Sequence, residues 1–587
     1  MAYLGNEAST RKINMEIMSK LLEDKLPLRP NILPLAEMLE QADQVEPKLP
    51  QEEEEEEEKQ QVMHMVMVPY PLQGHINPMM QFAKSLIIKY SSAVKVSFIN
   101  INHYHDRIQK AQARSSAPPC ANTVPSSPPS TISNDRKKAS RKTHAQPDQD
   151  KLQFLCVDLN GLPDNFNFSD LGPSLRDFHH ALTLSMGEPL RNLLQGLNQK
   201  GPPVSCVVFG SFCPQAQIVS AELGLPSFFF WTQSASVLSM YYHAPLLEAN
   251  GFFPYREQDL QDECTEEHCK SMSRETHSRL VSYVPGVPPL HRSSFPTLLH
   301  IDGISDQRFA TMRDQLTILP NCQGVIVNSF EELEKDAYKA LQEELPFPVS
   351  FVGPLIPSAF LGDGDAKDMS VGASLLEEKI ECIEWLDGQK KQSVLYVSFG
   401  SLFHPSSEDL ESIAKGIRES KQPFLWVIRP KSSLMDVAEI LPKGFLDDTK
   451  EYGLIIPWAP QVQVLSHPSV GAFLTHSGWN STLESVSMGV PMIPCPIKSD
   501  QPTNCTFVCE VWKIGMALKR HKDGTIRSLD VERVVKTVLQ QEDGKEMRKR
   551  ATELQEAARR ATRAQGSSCM QMEQFIQLVS NYRAGQA

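Results

Sequence analysis

Several absences narrow the field before any motif is read. Over 587 residues no run approaches the ~18–20 consecutive apolar residues that a membrane-spanning helix needs, so no membrane insertion is expected. Basic residues are in the minority, 58 Lys and Arg against 71 Asp and Glu, for a net charge of −13. That balance argues against nucleic acid or an anionic membrane as the main partner. The 12 cysteines include no C-x-x-C pair. Cys264/Cys269, with His268 between them, and Cys505/Cys509 fall short of a zinc pattern, so reduced, mostly buried thiols and no metal are expected. No basic start followed by an apolar run opens the chain, and Glu7, Glu16, Glu23 and Asp24 are acidic where a transit peptide would be basic, so a cytoplasmic location is predicted. The turn Tyr70–Asn77 lacks the G-x-G-x-x-G fingerprint that a nicotinamide-dependent oxidoreductase carries after its first strand.

What is present falls into blocks. Residues 1–61 read as an acidic appendage, with short helical patterns (Ile13–Leu22, Leu35–Ala42) and the self-repelling run Glu52–Glu58. From Met63 a short apolar strand, a turn, and a helix opening at Pro78 lead to a second strand, Lys95–Ile101, which makes one parallel crossover unit. Residues 111–150, rich in Pro and Ser with a basic cluster from Arg136 to Lys142, interrupt this unit as a disordered loop. Strands are expected at Ser205–Phe209, Gly224–Phe230, Gly324–Asn328 and Ser350–Val352, and helices at Leu182–Leu197, kinked at Pro189, and Phe330–Leu341. Residues 356–380, with Pro357, Gly362, Gly364 and Gly372, read as a linker. The pattern then restarts with strands at Ser393–Phe399, Phe424–Ile428, Leu454–Pro457, Val470–Thr475 and Val490–Pro494. Two blocks of β-α alternation predict two doubly wound parallel sheets, with ligands between them at the carboxyl ends of the strands.

The chemistry concentrates in residues 458–501. A buried strand runs into the loop His476-Ser-Gly-Trp479 and then a helix from Asn480 or Ser481 to Met488. A Gly-containing loop feeding a helix after a parallel strand aims free amides and a positive helix end at a phosphate. Asn480, Ser481 and His476 add side-chain donors, Glu484 can accept from a ribose diol, and Trp458 offers a flat face to a nucleobase. Each has a plain alternative: Ser481-Thr-Leu-Glu484 is also a capping box, Trp458 a core residue, and His476 a satisfied polar group.

The combination resembles, almost without gaps, the 44-residue signature of plant family-1 UDP-glycosyltransferases. The likeness runs from about Met63 to Val579 and includes Asn328-Ser-Phe-Glu-Glu-Leu-Glu334, Val352-Gly-Pro-Leu355, Glu384-Trp-Leu-Asp387 and Tyr396-Val-Ser-Phe-Gly-Ser401. It implies the GT-B fold: an N-terminal acceptor domain at 62–355 and a C-terminal UDP-sugar domain at 381–587, with the last helix packing back on the first. By that resemblance Trp458 would stack on uracil beside Gln461, and His476, Asn480, Ser481 and Ser401 would contact the diphosphate. Glu484 would hold the ribose, while Trp479, Asp500 and Gln501 would face the sugar, with Gln501 favouring UDP-glucose. Lys498 and Ser499 stand where many relatives carry apolar or small residues.

Gln73-Gly-His75-Ile-Asn-Pro78 matches the family's catalytic histidine motif, making His75 the base for direct, inverting displacement on a small lipophilic acceptor without a cofactor. A helix N-terminus disfavours imidazolium, which keeps His75 neutral and able to take a proton. Phe228–Trp231, Met240–His243 and Val284–Leu290 are the segments expected to hold the acceptor. One departure stands out. The family's Asp partner of the histidine aligns with Gly210, in Cys206-Val-Val-Phe-Gly-Ser-Phe-Cys213. Either another carboxylate reaches His75, or the acceptor is acidic enough to need little help, or the chain binds nucleotide sugar with weak or no catalysis.

Overall fold

The computed structural model describes residues 62–101, 105, 151–157, 175–255, 280–362, 378–402, 404–429 and 437–585. The tail 1–61, the insertion 111–150, the Cys264/Cys269 segment and most of the 356–380 linker lie outside the described residues.

Among the described residues, seven strands form the first sheet: β1 (Met63–Val68), β2 (Val94–Ile101), β3 (Leu152–Val157), β4 (Val204–Gly210), β5 (Ser227–Trp231), β6 (Gly324–Val327) and β7 (Val349–Phe351). Their spatial order is β3-β2-β1-β4-β5-β6-β7, and every pairing is parallel. Five strands form the second: β8 (Val394–Ser398), β9 (Phe424–Val427), β10 (Gly453–Ile456), β11 (Val470–Thr475) and β12 (Met492–Pro494), in the order β10-β9-β8-β11-β12. Central strands such as β1, β4, β8 and β11 are buried throughout, as apolar runs covered by helices on both faces must be. Strand β3 escapes the sequence pattern because it is an edge strand, only partly buried over most of its length.

The helix expected from Phe330 begins only at Lys335, and two expectations about prolines are corrected. The helix after β1, here α1, spans Gln73–Lys89 and so begins five residues before Pro78, which sits inside it. The predicted kinked helix at 182–197 is two helices, Leu175–Ser185 and Gly187–Lys200, broken at Met186. Pro189 lies in the first turn of the second, where a missing N–H removes no intrahelical bond.

Helix α2 (Trp479–Met488) follows β11, and the last helix, α3 (Ser567–Ala584), lies against the first sheet. Phe575 wedges between Phe82 and Phe228, with ring centroids 5.6 and 5.1 Å away. Gln571 accepts the amide of Phe351, and Ser568 donates to the carbonyl of Gly353. No helix among the described residues is long and apolar enough to cross a membrane.

Candidate active site

Strand order reverses once in each sheet, between β1 and β4 and between β8 and β11. In open parallel sheets the crevice outside such a reversal is where ligands bind. The loops leaving these strand ends carry His75 after β1, Gly210 at the end of β4, Ser401 after β8 and His476 after β11.

On the second sheet, α2 (Trp479–Met488) begins directly after His476-Ser-Gly478. Its N-cap is Gly478, so Ser481 and Glu484 lie inside the helix and the capping-box alternative fails. Their side chains belong instead to a polar network. Gln461 Nε2 donates to Glu484 Oε2 at 2.6 Å and to Ser481 Oγ at 2.9 Å, and the Tyr396 hydroxyl donates to Gln461 Oε1 at 3.1 Å. Burial raises the Glu484 carboxyl to about 7.

The His476 ring is held between two glycines. A Cβ at Gly400 would lie 2.6 Å from its Cε1, and one at Gly478 would lie 2.5 Å from its Nε2. Burial lowers the His476 imidazole to about 4, so near neutral pH it is an uncharged donor or acceptor. Trp458 is partly buried, with the Arg429 guanidinium 5.8 Å from its ring centroid. Arg429 Nη2 also donates to the Ser401 carbonyl at 2.7 Å, which ties the base-stacking candidate to the loop after β8.

At the far end, Asp500 and Gln501 are buried. Asn504 Nδ2 donates to Asp500 Oδ2 at 2.8 Å and to the Ser477 carbonyl at 2.9 Å, while Gln501 Oε1 accepts the amides of Ile497 and Lys498. Ser499 exchanges two hydrogen bonds with Thr297, both 2.8 Å, and Lys498 is exposed. Trp479 does not turn its ring to the cleft. The ring is buried and its indole N–H donates to the Asn328 carbonyl at 2.8 Å.

The two halves meet at Asn480, whose Nδ2 donates to the Gly74 carbonyl at 2.8 Å. That carbonyl is free because residue 78, its intrahelical partner by position, is a proline without an N–H. The proline inside α1 and the asparagine at the start of α2 are thus one device. It fixes the first turn of α1, and His75 at its third position, against the start of α2.

His75 is half-buried among aromatic groups, with ring centroids of Tyr70 at 5.3 Å and Phe212 at 5.8 Å. Phe178 and His179 pack behind Tyr70. Burial lowers the His75 imidazole to about 4. Its Nδ1 lies 3.2 Å from Thr232 Oγ1. Among the described residues no carboxylate pairs with it. A Cβ at Gly210 would stand 3.1 Å from the Tyr70 amide nitrogen, so a side chain there would press on the Pro69–Tyr70 turn. Sequence reasoning missed Thr232, Tyr70, Phe178, His179, Phe212 and Arg429. Thr232 alone carried a signal, as a polar residue directly after the apolar run Phe228–Trp231. One expected acceptor segment is also corrected: Phe228–Trp231 is core strand β5, buried throughout.

Two parallel sheets meeting across their reversal points define a GT-B architecture of the kind that sugar transferases use. A family model described as UDP-glucoronosyl and UDP-glucosyl transferase matches residues 327–556. A 7-deoxyloganetin glucosyltransferase of Gardenia jasminoides is 34% identical over 88% of this chain and 97% of its own length. UDP-glycosyltransferase 75C1 of Solanum lycopersicum is 32% identical over 88% and 98%. Among solved structures, Os79 from O. sativa in complex with UDP superposes with a TM-score of 0.69 at 25% identity, covering 88% of this chain and 100% of that one. Phytolacca americana UGT2, complexed with UDP-2fluoro-glucose and pterostilbene, gives 0.66 at 27% identity over 88% and 100%. This chain belongs to the plant UDP-glycosyltransferase family and is a glycosyltransferase enzyme.

Proposed function

We propose that the chain transfers glucose from UDP-glucose to a hydroxyl of a small lipophilic acceptor, by one displacement that inverts the anomeric centre. His75 Nε2 takes the acceptor's proton, the acceptor oxygen bonds to the anomeric carbon, and the bond to UDP breaks with its electron pair leaving on the diphosphate. That charge is met by the N-terminal amides of α2 with Asn480, Ser481, His476 and Ser401, with no metal required. Trp458 stacks on uracil, Glu484 takes the ribose diol, and Asp500 and Gln501 hold the sugar.

The observation that carries this reading is the Asn480–Gly74 hydrogen bond, which brings the candidate base and the candidate phosphate helix to the same crevice. The aromatic surround of His75 supports a flat or greasy acceptor. The Gardenia relative's glucosyltransferase name and the pterostilbene bound by the Phytolacca protein point the same way. Buried free thiols, among them Cys206, Cys213 and Cys322, suit a reducing, cytoplasmic setting. A binder without turnover gains no support from relatives named as transferases.

The test is UDP release from UDP-glucose across phenolic, carboxylic and alcoholic acceptors. Wild type should turn over at least one, and His75→Ala should lose transfer while still binding UDP. Undiminished transfer by His75→Ala would remove the base assignment.

A further inference from the structure

The base on which the proposed function rests needs something to hold its ring, and the family's Asp position is Gly210. What meets His75 Nδ1 is the Thr232 hydroxyl, at 3.2 Å. We propose that Thr232 is the positioning residue of the base: its Oγ1 accepts the Nδ1–H and so fixes the imidazole in the tautomer that leaves Nε2 bare for the acceptor's proton.

The fold is built to keep that hydroxyl in place. Thr232 follows β5, the strand beside β4, and so reaches the same end of the sheet as Gly210 from one strand over. The residue is only 4% exposed. Its loop is locked on both sides. Trp231 Nε1 donates to the Ser234 carbonyl at 2.8 Å, and Ser234 Oγ accepts the Val237 amide at the start of the next helix. The buried Glu334 carboxylate accepts the amides of Ala235 and Ser236, at 2.9 and 3.0 Å, and the hydroxyls of Ser236 and Ser329. Glu334 closes the Asn328–Glu334 motif, so that stretch serves here to brace the loop carrying Thr232.

A hydroxyl does one of the two things a carboxylate would do. It sets the tautomer and the ring orientation, but it carries no charge to stabilise an imidazolium. Among the described residues, the other titratable groups around His75 and Tyr70 do not supply that charge. Tyr70, Cys213 and His179 are neutral near pH 7, because burial raises the phenol and the thiol and lowers the imidazole. Proton transfer at this site therefore leans on the acidity of the acceptor, and phenols and carboxylic acids should outrun alkanols.

The test joins spectroscopy to kinetics. Full-length protein labelled with 15N-histidine is observed by long-range 1H–15N correlation at pH 7, with the His75 signal identified by its loss in His75→Gln. Wild type and Thr232→Ser should show the Nδ1–H tautomer, and Thr232→Val should move toward Nε2–H. On a phenolic acceptor, Thr232→Val should lower kcat about 10- to 100-fold with the KM for UDP-glucose unchanged, since a misplaced base forfeits much of its advantage. Thr232→Ser, which keeps the hydroxyl, should recover most of that loss.

An Nε2–H tautomer in the wild type overturns the proposal, as does a Thr232→Val protein with unaltered tautomer and kcat. A Thr232→Val protein whose main change is a raised KM for UDP-glucose also overturns it, making Thr232 a sugar contact. Failure of the underlying reading looks different. Transfer that survives His75→Ala removes the base itself, whereas transfer lost in His75→Ala but kept in Thr232→Val removes only the role of Thr232.

Discussion

Burial sets the protonation states of His75 and Glu484. With the His75 imidazole lowered to about 4, its neutral form persists as pH falls and is lost only as pH passes through that value. At saturating donor, kcat on an acceptor that does not titrate should hold between pH 8 and 5, where an ordinary histidine would lose about thirtyfold. A decline centred near 6.5 would assign the base an ordinary pKa. Glu484 shifts the other way, to about 7, so its ionised form is present above that value and lost below it. Ribose hydroxyls donate best to the ionised form, and uridine, which carries no phosphate to titrate, should therefore bind about tenfold more weakly at pH 6 than at pH 8. Glu484→Gln should flatten that dependence, and calorimetric titration of both proteins decides it. Trp458→Ala should weaken UDP binding by ~1–3 kcal/mol, the range for one stacked base. Unchanged affinity would make Trp458 a structural residue.

At the scale of elements, the site depends on what two helices give up at their starts. Helix α1 forgoes a backbone bond at Pro78, and Asn480 of α2 takes the freed Gly74 carbonyl. Restoring the donor with Pro78→Ala should leave the melting temperature unchanged or higher, because an interior proline disfavours a helix by ~3 kcal/mol relative to alanine. The same change should lower kcat severalfold, as the new N–H competes with Asn480 for the carbonyl. A Pro78→Ala protein with undiminished kcat would show that the cross-helix bond is dispensable. The loop before α2 depends on bare backbone instead. Gly478→Ala would drive a methyl to 2.5 Å from His476 Nε2, so UDP affinity should fall while α2 itself persists.

At the scale of the molecule, the cleft is tied at several places. Trp479 bonds to Asn328, Ser499 to Thr297, and Thr503 to the Ser294 carbonyl, while α3 seals the back of the first sheet. Phe575 is the buried centre of that seal, between Phe82 and Phe228. Phe575→Ala should destabilise the protein by ~3–5 kcal/mol, as phenylalanine truncation in a packed core does. Chemical denaturation measures this directly. A loss below ~1 kcal/mol would mean that α3 contributes little beyond its polar contacts to Phe351 and Gly353.

Most strands of both sheets were legible from their apolar runs, because strands covered on both faces have little choice of residue. The candidate donor side reads locally for a related reason. A loop and helix start proposed to wrap a phosphate, together with the groups that flank it, lie close in sequence from Trp458 to Gln501. The tertiary structure decided what depended on distant segments meeting. Nothing near Gly210 in sequence announces that Thr232 lies against His75, because the two are 157 residues apart and join only through the packing of neighbouring strands. Nor does the local pattern around Pro78 place it inside a helix, since a proline after a turn is locally a good helix start. What makes the interior position tolerable is the amide of Asn480, 406 residues away from the carbonyl it satisfies. Periodicity and local turn chemistry belong to the sequence, whereas the partner of a buried polar atom is settled only when the chain has folded.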